Sequence, residues 1–422
     1  MATGTPRAPR NGNARQIGTD VVLHFPGKRP EADVINGPTL VTKPVGETAA
    51  DATVKADFHF GDNLPIMRGL LASLRGKVKL VYVDPPYASS GNYATRSLHH
   101  AYEDGLHGAE FIAFLRERLI LLRELLSEEG SIYVHLDDNM AFTIKVVMDE
   151  VFGQSNFRNF IVRKKCNPKN YTRNQFGNIA DYILFYSRSS QYTFTRQFQS
   201  WQDETAAKEY SYSDEQGRRY KRVPIHAPGV RNGETGKVWR GLMPPPGKHW
   251  QYTPQTLEEM DARGEIHWSK NGNPRRKIYL DNSAGIALQD IWLDVKDPHN
   301  QNIKVTGYPT EKNAALLERI ILASSAPDDI VLDAFVGSGT TMAAALKHGR
   351  RAIGIDESPV ALKATLSRFV HGSAPMGDFV SAPKPAQREF TFHSLVVHAE
   401  ARLVHEAQHM LQGVLHDEAS VA

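Results

Sequence analysis

The fold is decided by one short stretch, Val81-Tyr82-Val83-Asp84-Pro85-Pro86-Tyr87. Its β-branched and aromatic residues favour a buried strand that begins near Lys79. Because the two prolines fix φ and lack backbone donors, the chain leaves the sheet in a rigid, extended form. This geometry places the Asp84 carboxylate, the Pro85 carbonyl and the Tyr87 ring at the carboxyl end of a strand, where open α/β sheets bind ligands.

These three groups suit the exocyclic amine of a nucleic-acid base. Such an amine is a poor nucleophile because its lone pair is delocalised into the ring. A carboxylate and a carbonyl can accept its two N–H donors, and a nearby aromatic ring can stack on a base that has left the duplex. The alternative interpretation is a strand followed by a purely structural Pro-Pro turn.

Composition excludes several classes of protein. The chain has 422 residues, of which 41% are hydrophobic and 23% charged, enough for one large core or two domains. No apolar run approaches about 18 residues and no apolar signal segment opens the chain, so we expect a cytoplasmic protein without membrane association. The single cysteine, Cys166, excludes an internal disulfide. A net charge of +3 means that any nucleic-acid-binding surface is local.

The segments around the central stretch alternate between strand and helix patterns. A strand-like segment at 56–60 precedes a helix, and a long amphipathic helix from Phe111 precedes a strand at 131–136. This alternation predicts a parallel sheet with crossover helices. Asp62 follows the first of these strands, where it could accept from a ligand amine or cap the next helix.

A second motif lies far along the chain. The predicted strand 330–333 runs into Ala334-Phe335-Val336-Gly337-Ser338-Gly339-Thr340-Thr341 and then a helix. A glycine-rich turn between a strand and a helix is typical of nucleoside-cofactor sites. The next strand ends at Asp356, about 20 residues after the glycines, which suits ribose hydroxyls.

The region from Phe157 to about residue 305 lacks this periodicity. Residues 158–250 hold about 17 Lys or Arg against about 7 Asp or Glu, with aromatic residues such as Tyr212 and Trp239 interleaved. Cations suit phosphates and rings suit bases, although an ordinary solvated α+β insert is the alternative. The candidate nucleic-acid-binding residues are Arg163, Lys164, Lys165, Lys169, Arg173, Arg218, Arg219, Lys221 and Arg222.

Two further patterns suggest chemistry that the sequence does not support. His405-Glu406-x-x-His409 has the spacing of two zinc ligands on a helix, but no third ligand follows at the required distance, so we predict no metal site. Cys166 has no neighbouring element that would position it as a nucleophile, and an ordinary free thiol is expected.

The order of these motifs resembles the amino-group DNA methyltransferases of the permuted (beta) type, and most closely the modification subunits of type III restriction systems. The target-amine motif Asp84-Pro85-Pro86-Tyr87 comes first, an insert follows, and the motif Asp333–Thr341 comes last. Supporting matches are Gly61-Asp62-Asn63-Leu64, Val134-His135-Leu136-Asp137-Asp138-Asn139 and Gly307-Tyr308-Pro309-Thr310-Glu311-Lys312. The resemblance implies a Rossmann-like α/β fold with a mainly parallel sheet and an inserted target-recognition region.

The resemblance also implies roles for individual residues. The catalytic residues would be Asp84, Pro85, Pro86 and Tyr87, with S-adenosylmethionine as the methyl donor and no metal. The cofactor-binding residues would be Asp62, Asp84, Lys312, Asp333, Phe335, Gly337, Ser338, Gly339, Thr340 and Asp356. Two positions depart from the family pattern, because Ala334 replaces a proline and Asn313 follows Lys312 where a proline is usual. Neither change removes a functional group, so we expect activity.

The implied reaction is site-specific methylation of the N6 amine of a flipped adenine in duplex DNA. Methylation of cytosine N4 uses the same chemistry, and a catalytically inactive DNA-binding relic is the alternative of another class. Asp rather than Ser before Pro-Pro favours adenine. Double-stranded DNA is the expected partner, and a homodimer or a separate restriction subunit are further partners that the resemblance allows.

The sequence predicts five regions. They are a mostly disordered leader at 1–50, a catalytic half at 51–157, a target-recognition insert at 158–305, a cofactor-binding half at 306–372, and a linker with a helical tail at 373–422.

Overall fold

The computed structural model describes residues 22–45, 55–86, 92–94, 100–103, 108–167, 174–297, 304–305, 311–375 and 395–419. The chain forms two compact units, of which the first contains Met1–Thr195 and Gln289–Ala422 and the second Arg196–Leu288. None of the helices within the described ranges combines the length and apolarity that crossing a membrane requires.

The helices of the described ranges are α1 (Glu31–Ile35), α2 (Asn63–Leu74), α3 (Gly108–Leu125), α4 (Ala141–Phe152), α5 (Asp203–Glu209), α6 (Pro254–Ala262), α7 (Ala314–Ser324), α8 (Thr340–Lys347), α9 (Pro359–His371) and α10 (Val404–Ala419). The strands are β1 (Lys43–Pro44), β2 (Ala56–Phe60), β3 (Val78–Val83), β4 (Asn92–Ala94), β5 (His100–Glu103), β6 (Leu126–Leu136), β7 (Phe157–Lys164), β8 (Ala180–Ser187), β9 (Phe198–Gln199), β10 (Tyr212–Ser213), β11 (Arg219–Pro224), β12 (His226–Pro228), β13 (Lys248–Trp250), β14 (Ile266–Trp268), β15 (Pro274–Tyr279), β16 (Ile286–Ala287), β17 (Ile291–Trp292), β18 (Lys304–Val305), β19 (Ile330–Asp333), β20 (Arg351–Asp356), β21 (Ala374–Pro375) and β22 (Leu395–Ala399).

A ten-stranded sheet organises the first unit, in the order β1-β22-β2-β20-β19-β3-β6-β8-β7-β17. The six strands from β22 to β6 run parallel, whereas β8 is antiparallel to both β6 and β7. The predicted α/β fold with a mainly parallel sheet is therefore confirmed.

Strand β3 lies in the middle of this sheet and is buried on both faces. Leu80 and Tyr82 belong to the apolar cluster on one face, and Val81 and Val83 belong to the cluster on the other. Side chains alternate across a strand, so an uninterrupted apolar run is what a central parallel strand requires. This explains why the stretch recognised in the sequence forms a strand.

Parallel pairing of β3 with β19 brings the two sequence motifs together. In their register Asp333 lies opposite Tyr82, two residues before Asp84. Since parallel strands end at the same edge, the chain after β3 and the glycine turn after β19 emerge side by side.

Three predicted boundaries need correction. Residues 157–164 and 180–187 form β7 and β8 of the central sheet, so the separate unit, Arg196–Leu288, is shorter than the predicted insert 158–305. The predicted leader contains ordered chain at 22–45, where the backbone carbonyls of Val34 and Pro38 accept from Arg68. The predicted tail contributes β22, which pairs with β2. The place of these segments in the fold depends on pairing and packing with distant parts of the chain, which local periodicity does not reveal.

The second unit contains a four-stranded antiparallel sheet in the order β10-β11-β15-β14. Thr253 immediately precedes helix α6, and its side chain caps the first turn by accepting from the Thr256 N–H. Residues of α6 and of the sheet contribute to one apolar cluster, which is formed by Ile225, Trp239, Trp250, Leu257, Met260 and Ile266. The unit therefore has a small core of its own.

The structure contradicts the predicted nucleic-acid-binding role of Arg163. Its side chain is 0% exposed, and its guanidinium donates to Asp181 at 2.9 Å and also to Asp297. Burial alone would lower the pKa of Arg163, but the two carboxylates raise it, so the residue stays charged. A buried guanidinium held in this way does not reach a phosphate.

Replacing Arg163 by Met should lower the free energy of unfolding by about 3 to 5 kcal/mol, because the carboxylates of Asp181 and Asp297 would lose a buried partner. Chemical denaturation at neutral pH measures this change. The control is Arg402→Met, which removes a 72% exposed arginine paired with Glu400 and should leave stability unchanged. Equal stability of the Arg163→Met variant and the wild type would contradict a structural role for Arg163.

Candidate active site

A cavity of about 150 Å³ opens at the carboxyl ends of β3, β19 and β20. It is lined by Asn63, Tyr82, Asp84, Pro85, Pro86, Phe114, Arg118, Glu311, Lys312, Leu317, Asp333, Ala334, Phe335, Val336, Gly337, Ser338, Thr340, Thr341, Asp356, Glu357 and Ser358. Both sequence motifs therefore contribute to the same cavity.

Asp84 lies directly after β3 and faces Lys312. The Lys312 Nζ atom is 2.7 Å from Asp84 Oδ2, and the two side chains are only 10% and 18% exposed, respectively. Pro85 and Pro86 continue the wall of the cavity. Tyr87, which was predicted to stack on the target base, lies outside the described residues. The ion pair fixes a carboxylate at the mouth of the strand, next to the backbone of Pro85.

Asp333 ends β19 and is almost fully buried. Its carboxylate accepts from the Phe335 N–H at 3.0 Å and from the Thr341 hydroxyl at 2.6 Å, which ties both ends of the glycine turn together. Burial is the main reason that the pKa of Asp333 is raised to about 7, and repulsion from Asp84 and Asp356 adds to it.

The glycine turn has a conformation that other residues would strain. Gly337 and Gly339 have φ values of 52° and 74°. A Cβ atom on Gly339 would lie 2.8 Å from the Thr365 hydroxyl oxygen, which itself donates to the Gly337 carbonyl at 3.1 Å. Only glycine fits here, and the turn leaves the backbone exposed to the cavity.

Asp356 ends β20 beside the same turn. Its carboxylate accepts from the backbone N–H groups of Gly337 and Ser358, each at 2.9 Å. Burial raises the pKa of Asp356 to about 6, although these two hydrogen bonds oppose the shift. The sequence prediction of an acid at this position, next to the glycine turn, agrees with the geometry.

Arg368 of α9 supports the site from behind the turn. Its guanidinium donates to the Ser338 carbonyl at 2.7 Å and to the Thr340 hydroxyl at 3.0 Å, and it also pairs with Glu311. Because Glu311 precedes Lys312, the same arginine positions the turn and the lysine that binds Asp84. No motif in the sequence indicated a role for Arg368.

Asp62 caps helix α2 and is not among the residues that line the cavity. It accepts from the Leu64 N–H at 2.9 Å and from Arg118 at 3.2 Å. Its neighbour Asn63 does line the cavity and donates to the Ala334 carbonyl at 2.7 Å. Of the two roles left open for Asp62, the helix cap is observed, while a contact with a ligand amine stays a prediction.

Arg118 and Phe114 of α3 are further lining residues that the sequence analysis missed. The Arg118 guanidinium lies 3.5 Å from the centroid of the Phe114 ring and donates to the Asn63 carboxamide at 2.5 Å. Burial lowers the pKa of Arg118 to about 10, with Asp62 opposing the shift. The only sequence signal was an arginine within the apolar stripe of the helix.

Tyr82 connects the cavity to the buried ion network around Arg163. Its hydroxyl lies 2.8 Å from His135 Nδ1, and His135 Nε2 lies 2.8 Å from Asp181. Burial alone would raise the pKa of Asp181, but His135 and Arg163 lower it far below its usual value. His135 belongs to the segment Val134–Asn139, which resembles the family but predicted no role for this histidine.

The other candidate residues are distributed over both units. Lys164 and Lys165 are half-buried in the first unit, while Lys169 and Arg173 lie outside the described residues. In the second unit Arg218 pairs with Asp214 and Lys221 pairs with Glu209. Arg219 and Arg222 are half-buried there. Their role in binding DNA stays a prediction.

Neither of the two further sequence patterns contributes to this cavity. His405, Glu406 and His409 lie on α10, and Cys166 is a buried free thiol. None of these residues lines the cavity.

Comparison with known proteins identifies the family. The profile N6_N4_Mtase, described as DNA methylase, matches residues 78–367. The type II methyltransferase M.EcaI of Enterobacter cloacae is 46% identical over 376 residues, covering 88% of this chain and 83% of that protein. The type III restriction-modification enzyme StyLTI Mod subunit of Salmonella typhimurium is 28% identical, covering 67% of this chain and 48% of the subunit. A crystal structure of the M1.HpyAVI–SAM complex shares 18% identity with a TM-score of 0.40, covering 75% of this chain and 99% of that chain.

The predicted resemblance to amino-group DNA methyltransferases is thereby confirmed, since the profile spans both motifs and the insert between them. The chain belongs to the DNA methylase family whose members modify N6 or N4 amino groups, and it is related to the methyltransferases of restriction-modification systems.

Proposed function

We propose that this protein transfers a methyl group from S-adenosylmethionine to the N6 amine of an adenine that has been flipped out of duplex DNA. The observation that carries the proposal is the shared cavity, in which Asp84, Pro85 and Pro86 face the turn around Gly337 and Gly339. A site for an amine and a site for a nucleoside cofactor are thus adjacent.

The residues around the turn fit S-adenosylmethionine. The backbone at Gly337 and Ser338 lines the cavity, and the carboxyl groups of Asp333, Asp84 and Asp356 surround it. Carboxylates complement a positively charged sulfonium and accept from ribose hydroxyls. Asp356 would bind the ribose, and the turn from Phe335 to Gly339 would hold the rest of the cofactor. The cofactor supplies an electrophilic methyl group on sulfur.

The chain's own groups orient the amine. The Asp84 carboxylate and the Pro85 carbonyl would accept its two N–H donors, which favours a tetrahedral nitrogen with its lone pair directed at the methyl group. Lys312 and Arg368 hold this arrangement through Asp84 and Glu311. Because the groups are positioned before reaction, proximity and electrostatic preorganisation account for the rate. Formation of the new C–N bond would be matched by cleavage of the methyl–sulfur bond, whose electron pair stays with sulfur in the neutral thioether that leaves. The amine would lose one proton, which Asp84 is placed to accept or pass to water.

The second candidate is methylation of cytosine N4, which uses the same geometry. Asp84 before the two prolines, rather than serine, supports adenine. An inactive relic is disfavoured by the intact Asp84-Pro85-Pro86 segment and by the intact glycine turn. A restriction subunit and a second copy of the chain are partners that we propose only from the similarity to the Mod subunit.

Sequencing of genomic DNA with detection of modified bases, from a host that expresses the protein, tests the proposed base. We expect N6-methyladenine at one recurring sequence and none in a host that carries the empty vector. Modified cytosine at a recurring sequence would replace the adenine assignment by the N4 alternative, and the absence of any modified base would refute the proposal.

Replacing Asp84 by Ala should reduce the rate of methyl transfer by about 10³-fold, because the amine loses its charged acceptor in the transition state. The dissociation constant for S-adenosylmethionine should change by less than about tenfold, which isothermal titration measures. Asp138→Ala, an exposed carboxylate after the neighbouring strand β6, is the matched control and should keep full activity. Unchanged turnover in the Asp84 variant would contradict its proposed role.

Binding of S-adenosylmethionine should weaken by about tenfold between pH 8 and pH 6. Asp333 and Asp356 have raised pKa values of about 7 and about 6, so both are mainly ionised at pH 8 and increasingly neutral as the pH falls. A cation favours the ionised forms, so its affinity decreases with protonation. The measurement is the dissociation constant across this pH range.

S-adenosylhomocysteine, which has a neutral sulfur, provides the control ligand and should show a weaker pH dependence. The Asp333→Asn variant should likewise have a flatter profile for S-adenosylmethionine. Identical profiles for the two ligands in the wild-type protein would show that the carboxylates do not interact with the sulfonium.

A further inference from the structure

On one face of the four-stranded sheet in the second unit, basic residues lie opposite other basic residues. In the register of β11 with β15, Arg222 lies directly opposite Lys277, and in that of β14 with β15, His267 lies opposite Arg275. Since side chains alternate along a strand, Lys277 and Arg275 point to the same side. Arg222, His267, Arg275 and Lys277 therefore form what we call the basic face.

The opposite side of the same sheet has a structural role. Ile266 and Trp268 alternate with His267 on β14; Ile266 belongs to the apolar cluster of the second unit, and Trp268 packs against it. Arg276, between Arg275 and Lys277, donates to the Tyr252 hydroxyl at 2.6 Å on that side. The core of this unit is thus built on one side of the sheet, and the basic face is the other.

The charges of the basic face are not neutralised within the second unit. Among the described residues, no carboxylate forms an ion pair with Arg222, Arg275 or Lys277, whereas Arg218, Lys221 and Arg263 each have an acidic partner. The pKa of His267 is lowered by burial and further by Arg222 and Lys277. Like charges directly opposite each other destabilise a sheet, so the fold does not account for this arrangement.

Aromatic rings hold these cations without cancelling their charge. The Arg222 guanidinium lies 3.5 Å from the centroid of the Tyr212 ring, and Lys277 Nζ lies 5.5 Å from that of Tyr220. Tyr212, Tyr220 and Tyr279 form one cross-strand row next to the cations. The result is a set of positive charges fixed on rigid strands, which suits a ligand with several regularly spaced negative charges.

We propose that the basic face binds the phosphate backbone of duplex DNA in a sequence-independent way. This inference rests on the proposed function, because DNA is the polyanion on which such an enzyme acts. It changes the set of residues expected to contact DNA, since Arg275, Lys277 and His267 join Arg222. Arg218 and Lys221 already have acidic partners and are not part of the face.

The test uses the full chain with Arg222, Arg275 and Lys277 each replaced by Gln. Binding to a fluorescently labelled duplex of unrelated sequence is measured between about 50 and 300 mM NaCl. Each lost phosphate contact removes about 0.9 from the slope of log K against log salt, so the slope should become shallower by about 2 to 3. Affinity at the lowest salt concentration should fall by about 10- to 100-fold.

The matched control carries Lys208→Gln, Lys237→Gln and Arg263→Gln, which remove three exposed positive charges from the same unit. Its slope should change by less than about 1. Equal changes in the two triple variants would show that only net charge matters, and an unchanged slope in the first would exclude contact at the basic face. Either result overturns the inference.

Two further measurements distinguish DNA contact from a purely structural role of the three cations. The midpoint of thermal unfolding of the Arg222, Arg275 and Lys277 variant should not decrease, because the replacement removes repulsion, and a decrease with no change in salt slope would indicate a structural role. At saturating DNA the variant should retain the wild-type kcat while KM rises. Absence of methyl transfer to DNA by the wild-type protein would instead refute the proposed function, whatever the binding data.

Discussion

The parallel pairing of β3 with β19 is the constraint on which the rest of the site depends. It makes neighbours of two strand ends that are far apart in sequence, so that Asp84 and the turn around Gly337 face one cavity. The pairing requires both strands to be buried on both faces, which the apolar residues on either side of β3 provide. The polar groups of the site can then occupy only the last positions of the strands and the turns that follow.

Placing several carboxyl groups at one edge of a sheet costs free energy, because like charges repel one another. The groups around these carboxyls offset part of that cost. Asp84, Asp333 and Asp356 line a single cavity. Burial raises the pKa of Asp333 and of Asp356, and repulsion from the other two carboxylates adds to the shift of Asp333. Lys312 offsets the charge of Asp84, while backbone N–H groups bind Asp333 and Asp356. Lys312 and these backbone N–H groups therefore hold the acidic side chains of the site in position. A cationic ligand would reduce the remaining repulsion, which links occupancy of the site to its stability.

The sequence predicted those features that local chemistry determines. Two prolines after an apolar strand, or two glycines before a helix, restrict the backbone wherever they occur, and the positions of Asp84, Gly337 and Gly339 follow. Arg118, Arg368 and Arg163 were missed or misassigned for the opposite reason. An arginine has the same local preferences whether it lies in solvent or is buried against carboxylates, and only the tertiary fold decides between these environments. Strands β7, β8 and β22 were missed because their place in the sheet also depends on pairing with distant residues.

The contrast between Arg163 and Arg222 shows how a basic residue with a structural role differs from one that is available to a ligand. Both lie in a region of positive sequence charge and both are shielded from solvent to some extent. Arg163 is enclosed by Asp181 and Asp297, so removing its charge would leave two buried carboxylates without a partner. Arg222 lies opposite another cation and is held by an aromatic ring, so removing its charge would relieve repulsion. Arg163 thus has its counterions within the chain, whereas Arg222 has no carboxylate partner among the described residues, and we propose that its counterion is the phosphate backbone of DNA.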